Sequence, residues 1–152
     1  MFQKQPVLFL CVILAGCSLF SCSAGKHNEK GVQSAMKQYD HYIQNLDADS
    51  IALLYTPDGD LGNIAHGRDS IRKFLSTFKN VKVLSQSSTT ASIKITGDTS
   101  LQKGRYQQVV VIAGKDTLTL RGEYTATWLW MPNAGWHIKR METKPDEDDH
   151  DH

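Results

Sequence analysis

Charge of one sign is missing: 17 Lys and Arg face 16 Asp and Glu in a chain of 152 residues. Without a basic stripe there is no electrostatic grip on phosphates, and nucleic acid is excluded as a partner. No run of about 20 apolar residues, the length a membrane-spanning helix needs, occurs anywhere. The chain also has no Gly-rich phosphate loop, Cys-x-x-Cys pair, His-Glu-x-x-His or Gly-x-Ser-x-Gly. Nucleotide, dithiol, zinc-protease and serine-hydrolase chemistries therefore lack their parts, and no cofactor or metal is expected. Cysteine is scarce too, with Cys11, Cys17 and Cys22 all near the N-terminus.

What the N-terminus does have is an export signal. Lys4 is followed by the apolar run Val7-Leu8-Phe9-Leu10-Cys11-Val12-Ile13-Leu14, too short to span a bilayer but of secretory length. It ends Leu14-Ala15-Gly16-Cys17, which resembles the bacterial lipobox: an aliphatic residue, two small residues that enter the peptidase, and the cysteine that takes the diacylglycerol. On that resemblance residues 1–16 are the signal and Cys17 is the lipid attachment. The membrane becomes a partner, and the mature chain is formally neutral with Cys22 as its one thiol. No internal disulfide is then available, and stability must come from packing. Ser18 after the cysteine is similar to lipoproteins sorted to the outer membrane, so the expected location is the cell envelope, on its periplasmic or surface face. Residues 17–30 are rich in Ser, Gly, Ala, Asn and Lys and read as a flexible tether. A domain is expected over 31–144. The acidic tail 145–152 is expected to be disordered, and ordering it around a metal would cost entropy for every ligand fixed.

Within the domain, Val32, Ala35, Met36, Tyr39, Ile43 and Leu46 recur at helical spacing. A short second helix follows, with Asp49 able to cap it and Pro57-Asp58-Gly59-Asp60 closing it in a turn. Ile71, Phe74, Leu75 and Phe78 mark a third helix opened at Gly67. Beyond Asn80 the period changes to two: Val81 and Val83, then Ala91, Ile93 and Ile95, then Tyr106 to Ala113, Thr117 to Met131, and Trp136 to Thr143. In the longest strand Leu118, Leu120, Tyr124, Ala126, Trp128 and Trp130 share one face, which is core or pocket. Thr119, Arg121, Glu123, Thr125 and Thr127 share the other. Helices followed by strands imply an α+β fold, helices packed on a strongly curved antiparallel sheet.

The stretches Asp49 to Gly59, Gly67-Arg68-Asp69-Ser70-Ile71 and Gly135-Trp136-His137-Ile138 resemble the SnoaL-like and nuclear-transport-factor-2-like superfamily over residues 30–143. That resemblance implies a conical, cystatin-like fold with a pocket, and its members include ketosteroid isomerase, cyclases and dehydratases. Carried over from the isomerase, the oxyanion tyrosine falls at Tyr39. The catalytic carboxylate falls near Asn63 and the second oxyanion acid near Ala126, neither of which can serve. A slip of a few residues would make Asp60 the base, and His66 is the other candidate. The leading expectation is a binding module, not an enzyme, whose cone holds a small apolar or amphipathic ligand against Tyr39, Phe74, Tyr124 and Trp128. The alternatives are an isomerase, dehydratase or cyclase using Asp60 or His66 with Tyr39, and an assembly module that forms a homodimer without ligand.

Overall fold

The computed structural model describes residues 27–147. The signal, Cys17, the tether as far as Lys26 and the acidic residues from Asp148 onward lie outside them. Three helices, α1 (Glu29–Asn45), α2 (Ala48–Leu54) and α3 (Arg68–Leu75), accompany six strands. The strands are β1 (Tyr55–Leu61), β2 (Ala65–His66), β3 (Val81–Thr96), β4 (Thr99–Ile112), β5 (Asp116–Met131) and β6 (Gly135–Pro145). They form one sheet in the order β2-β1-β6-β5-β4-β3, so the fold is α+β as the pattern implies.

The sheet is mixed rather than wholly antiparallel, because β1 and β6 run parallel. Arriving from α2, β1 meets the last strand running the same way, and it is β2 that returns antiparallel to it. Helix α1 begins at Glu29, within the stretch read as tether, where the Asn28 side chain accepts the Gly31 N–H at 2.9 Å. Asp47 rather than Asp49 caps α2, its carboxylate accepting the Ser50 N–H at 3.0 Å. Asp49 lies in the first turn of the helix and pairs with Arg72 of α3 at 2.8 Å.

Pro57-Asp58-Gly59-Asp60 is not a turn but part of β1. The β1–β6 register slips between Tyr55 and Asp60, an irregularity that suits a proline with no N–H to give. The separate apolar pairs at 81/83 and 93/95 belong to one strand, β3, whose register shifts twice, between Val83 and Ser85 and between Thr90 and Ser92. Each bulge exchanges the two faces, which puts Val83, Gln86, Ser88 and Ile93 on the same side and hides the strand's continuity from a period-two reading.

On β5, Gly122, Tyr124, Ala126 and Trp128 are buried and face the helices. Tyr124, Ala126 and Trp128 share one core cluster with Val32, Met36, Ile51, Ile71, Ile138 and Met141. Two tyrosines lie over glycines of the neighbouring strand, Tyr124 opposite Gly104 and Tyr106 opposite Gly122. A Cβ at Gly104 would sit 2.8 Å from the Tyr124 ring and hydroxyl and would press on the Thr89 carbonyl. The glycine is what lets the ring lie against the strand.

Candidate functional site

Between α1, α3 and the inner face of the sheet lies a cavity of about 250 Å³, just below the roughly 300–1,000 Å³ usual for ligand pockets. Helix α1 contributes Met36, Tyr39 and Ile43, and α3 contributes Phe74 and Leu75. Leu61 and Ile64 close one side. The sheet supplies Gln86 and Ser88 from β3, Tyr106 and Gln108 from β4, Leu120 and Tyr124 from β5, and Met141 and Thr143 from β6. No Asp, Glu, His, Lys, Arg or Cys is among these lining residues.

The titratable groups that do line it are tyrosines, and burial shifts them away from ionisation. Burial pushes Tyr39 up to about 12. Behind it, the fully buried Tyr55 is also raised, first by burial and then by Tyr39, and its hydroxyl has no partner at hydrogen-bonding geometry among the described residues. Tyr106 and Tyr124 are raised as well, again chiefly by burial. All four phenols are therefore neutral at physiological pH, able to donate a hydrogen bond but not to take a proton.

The polar side of the cavity is anchored by Asp40, the residue after Tyr39. Its carboxylate accepts Gln86 Nε2 at 3.0 Å, the Ser88 N–H at 2.9 Å and the Ser88 hydroxyl at 2.7 Å. Gln108 Nε2 in turn donates to Gln86 Oε1 at 3.0 Å. Sequence reasoning missed Asp40, Gln86 and Gln108. The only one-dimensional signal is that Gln86 and Ser88 share a phase on β3, and nothing in the spacing joins them to a helix some 46 residues earlier.

Of the residues expected to hold a ligand, Tyr39, Phe74 and Tyr124 line the cavity, whereas Trp128 does not. Trp128 is fully buried in the core, its indole N–H donating to Gln102 Oε1 at 2.9 Å. Gln102 Nε2 continues to Thr90 Oγ1 at 2.9 Å, and Thr90 lies 3.4 Å from the Tyr124 hydroxyl. The tryptophan is thus joined to the cavity wall by a hydrogen-bonded relay through Gln102 and Thr90 to Tyr124.

Asp60 and His66 are also elsewhere. They are register partners on β1 and β2, bonded to each other at 2.6 Å. Leu61 takes the inward position on β1, so by strand alternation its neighbour Asp60 turns away from the cone. Asp60 lies 3.5 Å from Arg140, and the His66 hydrogen bond first, then Arg140 and Lys139, holds its carboxyl below the usual carboxylate range. A base of that kind is weak and lies outside the cavity. Asn63 is likewise occupied, its side-chain oxygen accepting from Arg140 at 3.0 Å, and Ala126 is fully buried.

Comparison with known proteins accords with this architecture. A ketosteroid isomerase-like protein from Erwinia carotovora atroseptica superposes with a TM-score of 0.67 at 14% identity, over 76% of this chain and 94% of the other. An NTF2-like protein with a cystatin-like fold from Novosphingobium aromaticivorans gives 0.65 at 16% identity, over 80% and 83%. A protein assigned as a calcium/calmodulin-dependent protein kinase II association domain, from Xanthomonas campestris, gives 0.66 at 16% identity, over 80% and 90%. At these identities the likeness is one of fold, and it establishes an NTF2-like cone. No curated protein matches the chain. Residues 27–142, nearly all that the structure describes, match the model of the SnoaL-like domain, and the chain belongs to that family.

Proposed function

We propose that this chain is a membrane-anchored lipoprotein of the cell envelope whose SnoaL-like cone binds a small, neutral, apolar or amphipathic molecule. The observation that carries the binding reading is the composition of the cavity wall: apolar side chains on the helices, amides and hydroxyls along one strip of the sheet, and no lining side chain that exchanges a proton near neutral pH. Such a wall supports holding an uncharged ligand by burial and a few directed hydrogen bonds. A proton-transfer reaction would instead need a base within reach of the substrate, and the two candidates, Asp60 and His66, are paired with each other outside the lining.

Among the described residues every element and the core cluster fall within 29–145, so the chain from residue 24 spans them all. Native mass spectrometry of that chain, purified gently from its host, is expected to retain an apolar small molecule. Leu120→Trp, which fills the cavity from a partly exposed position, is expected to release it. A parent protein that comes away empty, and that binds no apolar compound in calorimetry, overturns the reading.

The anchoring half rests on Leu14-Ala15-Gly16-Cys17. In cells fed a palmitate analogue, Cys17→Ala is expected to abolish labelling and leave the signal uncleaved, whereas Cys22→Ala labels like the parent. Equal labelling of Cys17→Ala and the parent overturns lipid attachment at Cys17.

A further inference from the structure

The hydrogen bonds beside the cavity run in one direction. A carboxylate only accepts, so the group that Gln86 turns toward Asp40 has to be its NH2, and the bond is 3.0 Å long. That fixes the Gln86 carbonyl on the far side, where it accepts the Gln108 amide N–H at 3.0 Å. Gln108 is thereby committed with its NH2 toward Gln86. Its own carbonyl oxygen is left with no hydrogen-bond partner among the described residues, on a half-buried side chain that lines the cavity. The half-buried Asp40 carboxylate thus sets the polarity of two amides in series and presents an acceptor where the apolar wall ends. Tyr106, two residues along the same face of β4, brings a neutral hydroxyl to the same strip.

We infer that the cavity selects ligands with an apolar body and one hydroxyl group, the hydroxyl donating to the Gln108 carbonyl oxygen that Asp40 orients through Gln86. This rests on the binding reading and narrows it. A ketone or ether of the same size offers no donor and leaves the Gln108 oxygen desolvated and unpaired, which is the expensive half of a lost hydrogen bond. A carboxylate fares worse, since it would meet that oxygen with no lining cation to neutralise it. An alcohol or phenol satisfies the acceptor and can accept from a tyrosine in return.

The test uses 2-naphthol, its methyl ether 2-methoxynaphthalene, and 2-naphthoate, measured by calorimetry at neutral pH with the chain from residue 24. The naphthol is expected to bind about tenfold more tightly than the ether, and the naphthoate not at all. Gln108→Leu is expected to bring naphthol and ether affinities together while ether binding persists. Asp40→Asn is expected to narrow the ratio, because an asparagine amide can donate and lets Gln86 turn over. Circular dichroism melts of both variants establish that they are folded before binding is read. Equal affinities for naphthol and ether in the unsubstituted protein overturn the inference while leaving the binding reading intact. A preference that survives Gln108→Leu also overturns it, by placing the acceptor elsewhere. If none of the three compounds binds, the inference and the binding reading fall together.

Discussion

Trp128→Ala is expected to lower folding stability by about 3–5 kcal/mol, the range for removing a large aromatic from a core. The side chain is wholly buried and is the largest of the fully buried residues. It packs among Val32, Ile51, Ile71 and Ile138, where α1, α2, α3 and β6 converge on β5. Its indole N–H also satisfies Gln102, itself inaccessible to solvent. Trp128→Phe separates the two contributions: most of the ring remains, but Gln102 Oε1 loses its donor in a dry site, a penalty of about 1–3 kcal/mol. Urea unfolding reads both as shifts of midpoint at unchanged slope. An alanine variant within about 1 kcal/mol of the parent would contradict the role of this residue as the post around which the helices pack.

Gly104→Ala comes next in size, with an expected loss of about 1–3 kcal/mol from overpacking. The new Cβ would lie 2.8 Å from the Tyr124 ring and hydroxyl and would also press on the Thr89 carbonyl. A ring can swing aside, whereas a backbone carbonyl in the β3–β4 ladder cannot move without breaking its pairing. The double variant Gly104→Ala, Tyr124→Ala is therefore expected to recover none of the backbone part of the loss. Gly97 is the contrast: a Cβ there meets nothing within 4 Å, but its φ of +57 is left-handed, so Gly97→Ala loses about 1–2 kcal/mol through local conformation alone. Matched urea curves for the two alanine variants distinguish a steric glycine from a conformational one. A Gly104→Ala loss smaller than that of Gly97→Ala would contradict the steric account.

Legibility in the sequence followed the length over which a signal repeats. The α1 stripe and the alternation from Thr117 to Met131 persist for several periods, and both elements formed where the pattern placed them. β3 was broken up because its two bulges reset the phase, and a bulge leaves no residue signature of its own among Ser and Thr. Pro57 to Asp60 carries every mark of a turn, yet pairing with β2 and β6 makes it a strand. At the site, aromatic side chains on the inward face were legible, although periodicity could not separate the cavity wall, with Tyr39, Phe74 and Tyr124, from the floor beneath it, with Trp128. That distinction depends on how deeply each position lies under α1 and α3. The order Asp40, Gln86, Gln108 is made wholly of contacts distant in sequence.

β3 ends the sheet, and a sixteen-residue edge is ordinarily a template on which a neighbouring chain adds its own strand. Here that growth is obstructed at intervals. The two bulges interrupt the repeat of free amides, Lys82 and Lys94 stand exposed along the strand, and the Asp40 carboxylate occupies the Ser88 N–H. For molecules crowded onto one plane by the proposed anchor, collisions between edges are far more frequent than in free solution. The acid that orients Gln86 beside the cavity thus also closes one amide of the edge strand, and the polar strip and this part of the edge guard share one side chain.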